Sequence, residues 1–287
     1  MKLKLGRLAG IGVYVHWSFW ILPVWILLST VRDGRGWAAG LSAVIFVFAI
    51  FGCVVLHELG HALMARHYRI GTRDITLYPI GGVASLERMP TRPSQELAIA
   101  LAGPAVNVAI AGALFAGAVL TGLGNLAPAG DLIGGPFLSS LMWVNVALAV
   151  FNLLPAFPMD GGRVLRAFLA MQMPYVKATT IAARVGQVVA ILLGVLGLFS
   201  GGTLVLVAVF VFLAAQAELT MARIRESRTN APPVLEPFLP PRTPAFDDDR
   251  VVDAEIVWLG DVHTDEDGKR SMFIVSDRPQ YRRFHEN

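Results

Sequence analysis

The sequence holds a single cysteine, Cys53, among 287 residues. That excludes a disulfide framework and a cysteine-rich zinc fold. Charge is scarce as well: Asp, Glu, Lys and Arg make up 16% of the chain, against about 25% in an ordinary soluble domain. Acid is scarcest in the most apolar part. Only 8 of the 21 acidic residues lie in residues 1–225, and the other 13 crowd into 226–287. No block of five or six basic residues accompanies the net charge of +3 and the pI near 9.2, so nucleic acid is not the expected partner. No internal repeat is evident, and no small-residue cleavage site follows Lys2, Lys4 and Arg7, so a removed signal peptide is not expected. What the chain has is apolar side chain: 55% of residues, with a mean hydropathy of +0.58. The first 225 residues therefore read as a bundle of membrane spans, and the lipid bilayer as their surroundings.

Six apolar stretches are long enough to cross: residues 13–31, 37–66, 94–122, 138–154, 179–199 and 203–221. A crossing helix needs about 20 residues at about 1.5 Å each. Lys and Arg orient them. Lys2, Lys4 and Arg7 precede the first stretch, and Arg66, Arg69, Arg73, Arg88 and Arg92 follow the second. Arg163, Arg166 and Lys177 follow the fourth, and Arg223, Arg225 and Arg228 the sixth, whereas the other connections are poor in positive charge. Positive loops stay cytoplasmic, which places both termini in the cytoplasm. The expected fold class is an all-α polytopic membrane protein of about six transmembrane helices with a polar C-terminal tail. In that tail, residues 230–244 are proline-rich and read as a linker. Runs at 255–259 and 271–275 around Asp267-Gly268 suggest a small hairpin.

The strongest chemical signal is His57-Glu58-Leu59-Gly60-His61. On a helix, positions 57 and 61 leave one face, a spacing that holds zinc, and the intervening Glu58 can take a proton from water that zinc activates. Ionisable groups inside a membrane helix cost about 2.5–3.5 kcal/mol each, so three in five residues point to function rather than packing. A third protein ligand is needed. The acids available besides Glu58 are Asp33, Asp74, Glu87, Glu96, Asp131, Asp160 and Glu218. Depth selects Asp160: counted from the outer end of their parallel spans, His57 and Asp160 both fall roughly 30 Å down. Pro155 and Pro158 break the helix just before Asp160. Unwound backbone at such depth survives only when buried in protein or lining a wet cavity. Residues 72–86 are strand-like around Gly81, Gly82 and Val83, and an exposed strand edge there would bind an unwound substrate by strand addition. Cys53, one turn before His57, is read as packing. His16, Asn107 and Asn145 are read as packed or interhelical hydrogen-bonding residues.

The pair HELGH and N-x-x-P-x-x-P-x-D-G-G (residues 152–162) resembles the site-2 protease family of intramembrane zinc metalloproteases. The stretch Leu101-Ala102-Gly103-Pro104-Ala105-Val106-Asn107 and the segment Gly12-Val13-Tyr14-Val15-His16-Trp17 are also similar to that family. The resemblance covers roughly residues 8–225 and implies cleavage of another protein's membrane span. By position it implies one zinc ion on His57, His61 and Asp160, Glu58 as the activator of water, and Asn152 near the catalytic centre, where it would donate to a developing oxyanion. It implies a small membrane-associated β element at residues 72–86. It also implies an integral protein of a bacterial or archaeal cell membrane, acting on a membrane-tethered regulator such as an anti-sigma factor or a membrane-bound transcription regulator. Residues 1–225 would then be an intramembrane metalloprotease domain of six spans, and 226–287 a cytosolic linker and tail.

Three readings compete. A transporter or channel would use the histidines and carboxylate for ions, but would not require Glu58 between two histidines. A catalytically inactive relative that binds membrane proteins is opposed by the intact His57, Glu58, His61 and Asp160. A soluble zincin would need a wet surface that residues 1–225 do not supply.

Overall fold

The structure is a computed structural model that describes residues 2–79, 81–122, 137–199, 202–230, 263–264 and 270–271. The chain divides into two units, Met1–Pro232 and Pro233–Asn287. In the second, two-residue strands at His263–Thr264 and Arg270–Ser271 pair antiparallel. The expected Asp267-Gly268 turn falls between them in sequence and lies outside the described residues. The strand expected at 255–259 lies outside the described residues, as does all of 271–275 except Ser271.

The first unit opens with two strands. β1 spans Lys2–Leu8 and β2 spans Ile11–His16. A 3-10 turn at Trp17–Trp20 follows, then α1 (Ile21–Arg32) and the 32-residue α2 (Gly36–His67). β3 (Thr72–Tyr78) and β4 (Gly81–Leu86) come next, then α3 (Pro93–Thr121), α4 (Phe137–Asn152) and α5 (Asp160–Ala170). α6 (Tyr175–Phe199) and α7 (Thr203–Asn230) complete the unit. The sheet order is β1-β2-β3-β4, so β4 is an edge strand. β2 and β3 run parallel, with Val13 opposite Ile75. Parallel neighbours need a long crossover, which α1 and α2 supply.

The expected span at 13–31 is not one helix. In β2 the apolar positions alternate: Ile11, Val13 and Val15 are buried while their neighbours are not. That period of two suits a sheet face, and it seats Val13, Val15 and Leu77 against Ala43, Val47, Phe51 and Val55 of α2. His16 then ends the strand by accepting the Ser18 N–H and so capping the turn. Only 12 residues remain for α1. The expected β element at 72–86 is present, but as half of a larger, four-stranded sheet. Among the described residues, four helices are long and apolar enough to cross a membrane: Gly36–His67, Pro93–Thr121, Tyr175–Phe199 and Leu204–Ile224. The apolar helices Trp17–Arg32 and Phe137–Asn152 are shorter. α4 stops at Asn152 because Pro155 cannot continue it. Exposed Trp25, Leu41, Ile45, Val108, Leu192 and Leu196 line the outer faces, as expected of an integral membrane protein standing in lipid.

Helices α6 and α7 pack through small residues. Ala182, Ala183 and Ala215 surround Phe157, and Ala190 and Val211 meet Ala156 and Met159. The loop between α4 and α5 is thereby set into the α6–α7 surface.

Candidate metal centre

His57 and His61 sit one turn apart on α2, both buried, with their Nε2 atoms 3.1 Å apart. Asp160 is the first residue of α5, after the extended cap residue Met159. Its Oδ2 lies 3.2 Å from His57 Nε2 and 3.0 Å from His61 Nε2. Among the described residues, these form the one group of three metal-capable side chains whose ligand atoms all lie within 4.8 Å of one another.

Close approach of the backbones builds the group. A Cβ on Gly60 would stand 2.7 Å from Val106 Cγ2 and 2.8 Å from the Ala102 carbonyl, so α3 presses onto the histidine helix there. A Cβ on Gly103 would stand 2.6 Å from His57 Nε2 and would strike His61 Nε2 as well. The missing side chain leaves open the space between the two imidazoles. The backbone around Gly161 and Gly162 faces the chain's own loop at residues 153–157. These glycines therefore seat the loop that leads into Asp160.

The far sides of the rings decide what the near sides offer. His57 Nδ1–H donates to Asn107 Oδ1 at 3.0 Å, and His61 Nδ1–H donates to the Ile99 carbonyl at 2.7 Å. With a proton on each Nδ1, both Nε2 atoms present lone pairs. Two lone pairs and a carboxylate oxygen then converge with no donor between them, an arrangement that a cation relieves. A tetrahedral zinc at about 2.0–2.1 Å from each ligand would separate them by about 3.3 Å, close to the spacings found. The donor set therefore fits zinc.

Two further groups surround the centre. Arg163 Nη1 lies 3.7 Å from Asp160 Oδ1. Glu58 Oε2 accepts the backbone N–H of Ala84 in β4 at 3.1 Å. Beneath α5, the buried Arg166 donates from Nε to Glu96 of α3 at 2.9 Å and from Nη1 to Glu218 of α7 at 3.1 Å. Its guanidinium also lies over the rings of Phe157 and Tyr175.

The model of peptidase family M50 matches residues 45–131 and 135–193. The chain belongs to that family. A zinc metalloprotease of Methanocaldococcus jannaschii is 38% identical over 225 residues, covering 78% of this chain. This chain spans only 62% of that relative's length. The solved site-2 protease from Methanocaldococcus jannaschii superposes with a TM-score of 0.55 at 36% identity, covering 76% of this chain and 95% of that one. Membership in the M50 family agrees with the resemblance carried by the two motifs.

The structure brings His57, His61 and Asp160 together and sets Glu58 against β4. Gly81 opens that strand with a φ of +140°, a conformation glycine adopts freely. A Cβ on Gly82 would meet Glu58 Cγ at 2.8 Å, and Val83 faces outward at 53% exposure. Asn152 ends α4, half-buried, with no side-chain hydrogen-bond partner among the described residues. Cys53 stays outside the metal group and accepts from Asn145 Nδ2 at 3.3 Å. Sequence reasoning read Asn107 only as an interhelical group; its partner is the metal-facing histidine. The one signal was its polarity within an apolar helix. Ala84 carried no signal, since its contribution is a backbone amide.

Proposed function

We propose that the chain is an intramembrane zinc metalloprotease. It hydrolyses a peptide bond within or near a transmembrane segment of a membrane-tethered regulatory protein, such as an anti-sigma factor or a membrane-bound transcription regulator. The observation that carries this reading is the convergence of two Nε2 lone pairs and the Asp160 carboxylate, with both Nδ1 atoms committed elsewhere. His57, His61 and Asp160 hold the ion. Zinc, when bound, lowers the pKa of a coordinated water toward neutrality and polarises the scissile carbonyl. Glu58 removes the proton from the attacking water and delivers it to the leaving amine. Asn152, whose amide has no partner among the described residues, donates to the oxygen on which negative charge develops. The open edge of β4 at Gly81, Gly82 and Val83 receives the substrate as an added strand, because a helix hides its peptide bonds in its own hydrogen bonds.

Residues 1–225 form the protease domain in this reading, with α1 and α4 as short spans beside the four long ones. Both termini face the cytoplasm of a bacterial or archaeal cell, as the Lys and Arg positions favour. Residues 226–287 form a cytosolic linker and tail.

The test is Glu58→Gln in purified protein reconstituted with a membrane-embedded reporter. Zinc content should stay at about one ion per chain while cleavage falls by about 10²–10⁴-fold. Cleavage that survives Glu58→Gln, or wild-type protein that holds no zinc, would overturn the reading. Ion transport that persists without proteolysis would favour a transporter.

A further inference from the structure

The half-buried carboxylate of Glu58 has a partner that the chemistry above does not use. Its Oε2 accepts the Ala84 N–H at 3.1 Å. Among the described residues β4 is the edge of the sheet and pairs only with β3, where Ala84 stands opposite Ile75. Successive amides in a strand point to opposite edges, so an N–H that reaches Glu58 belongs to the side away from β3. That side is where another strand would pair. Gly82 lies two residues earlier, on the same edge and the same face as Ala84. Its missing Cβ, which would stand 2.8 Å from Glu58 Cγ and 3.1 Å from Val54 Cγ1, lets the strand lie directly on the base. The strand read as the substrate's docking edge is therefore already hydrogen-bonded to the group read as the proton acceptor.

We propose that the Ala84 N–H is a positioning group shared between Glu58 and the substrate. In the chain alone it holds the carboxylate against β4. A substrate segment that has unwound and paired with the open edge brings a backbone carbonyl to the same N–H and takes it over, which turns Glu58 toward the attacking water. This inference rests on the strand-addition and general-base readings above. It adds a source of selectivity. A carbonyl inside an intact helix is occupied by its own i→i−4 bond, so a helix passing the site leaves Glu58 held. An extended segment supplies a free carbonyl and releases it.

Glutamine at position 58 retains an oxygen that can accept the Ala84 N–H, and alanine does not. Glu58→Gln and Glu58→Ala both lack the charge and are both expected to be inactive, so their difference isolates the shared hydrogen bond. The probe is a fluorescently labelled apolar 20-residue peptide with a central Asn-Gly helix break, bound to zinc-loaded protein in detergent. Glu58→Ala should bind it roughly three- to tenfold more tightly than Glu58→Gln, the range expected for one net hydrogen bond. Adding Ala84→Pro, which deletes the N–H at an edge position where proline is tolerated, should erase that difference. A second measurement does not depend on the proline variant. Hydrogen exchange at the Ala84 amide should be slow in wild type and Glu58→Gln, faster in Glu58→Ala, and slow again when the peptide is added to Glu58→Ala. Equal peptide affinity and equal exchange in Glu58→Gln and Glu58→Ala would overturn the inference while leaving the protease reading intact. Loss of zinc or of reporter cleavage in wild type would instead strike the protease reading itself.

Discussion

Helices α2 and α7 are both long, both apolar, and both of membrane-crossing length, yet they are held in opposite ways. α2 is fixed by directional bonds. His57 reaches Asn107, His61 reaches the Ile99 carbonyl, Glu58 reaches Ala84, and Cys53 accepts from Asn145. α7 is fixed mainly by small apolar residues packed on α6, with polar ties that include Gln216 to Gln187 and Glu218 to Arg166. Packing in lipid tolerates sliding, because neither partner gains by leaving the bilayer. Hydrogen bonds at 2.7–3.1 Å do not. Directional contacts are concentrated around the candidate metal group and Glu58, and small-residue contacts where α6 and α7 meet.

The comparison breaks most severely at Gly103. Alanine there would put a methyl group into the space between the two imidazoles, so Gly103→Ala should lower zinc content from about one ion per chain to near none, with the helices still formed. Metal analysis and circular dichroism check both halves of that expectation; a fully loaded variant would show that the gap is not where the ion sits. Next comes Arg166, which joins the metal-bearing half to α7. Arg166→Met leaves the buried Glu96 unpaired and should cost about 3–5 kcal/mol in unfolding from bicelles. Combining it with Glu96→Gln should recover part of that loss, and additive losses would refute the pairing. Asn107→Leu should weaken zinc about 10–100-fold by freeing the His57 tautomer, as chelator competition would read. An unchanged affinity would reduce Asn107 to a helix-packing group. The smallest effect belongs to the α6–α7 side: Gln187→Ala removes an exposed bond and should shift stability by less than about 0.5 kcal/mol and leave zinc binding unaltered.

The metal group was legible because its signal is local. His57 and His61 share a helix face by spacing alone, and three ionisable groups in an apolar run demand a reason. Asp160 was reachable through depth and through the prolines that end α4. β3 and β4 were legible as a strand-like run around a double glycine. β1 and β2 were not: the alternation of Ile11, Val13 and Val15 runs directly into the apolar stretch that becomes the turn and α1, and a continuous hydrophobic run hides a change of period. Asn107 and Ala84 were beyond reach for a different reason. One depends on the register of α3 against α2 and the other on a backbone amide, and both are settled only by tertiary packing.

Helix α6 contributes no member of the His57, His61 and Asp160 group, yet it supports one of them. Ala156 and Phe157 of the loop before Asp160 are fully enclosed, and the Ala156 Cα would lie 3.2 Å from a Cβ placed on Gly186 of α6. The floor under Asp160 is therefore the surface of α6. Tetrahedral coordination tolerates only about 0.2 Å of error in each bond. Tilting that floor by even a fraction of a side chain's width would move the Asp160 carboxylate relative to the two Nε2 atoms, so a helix with no metal-capable side chain in the group still sets its geometry.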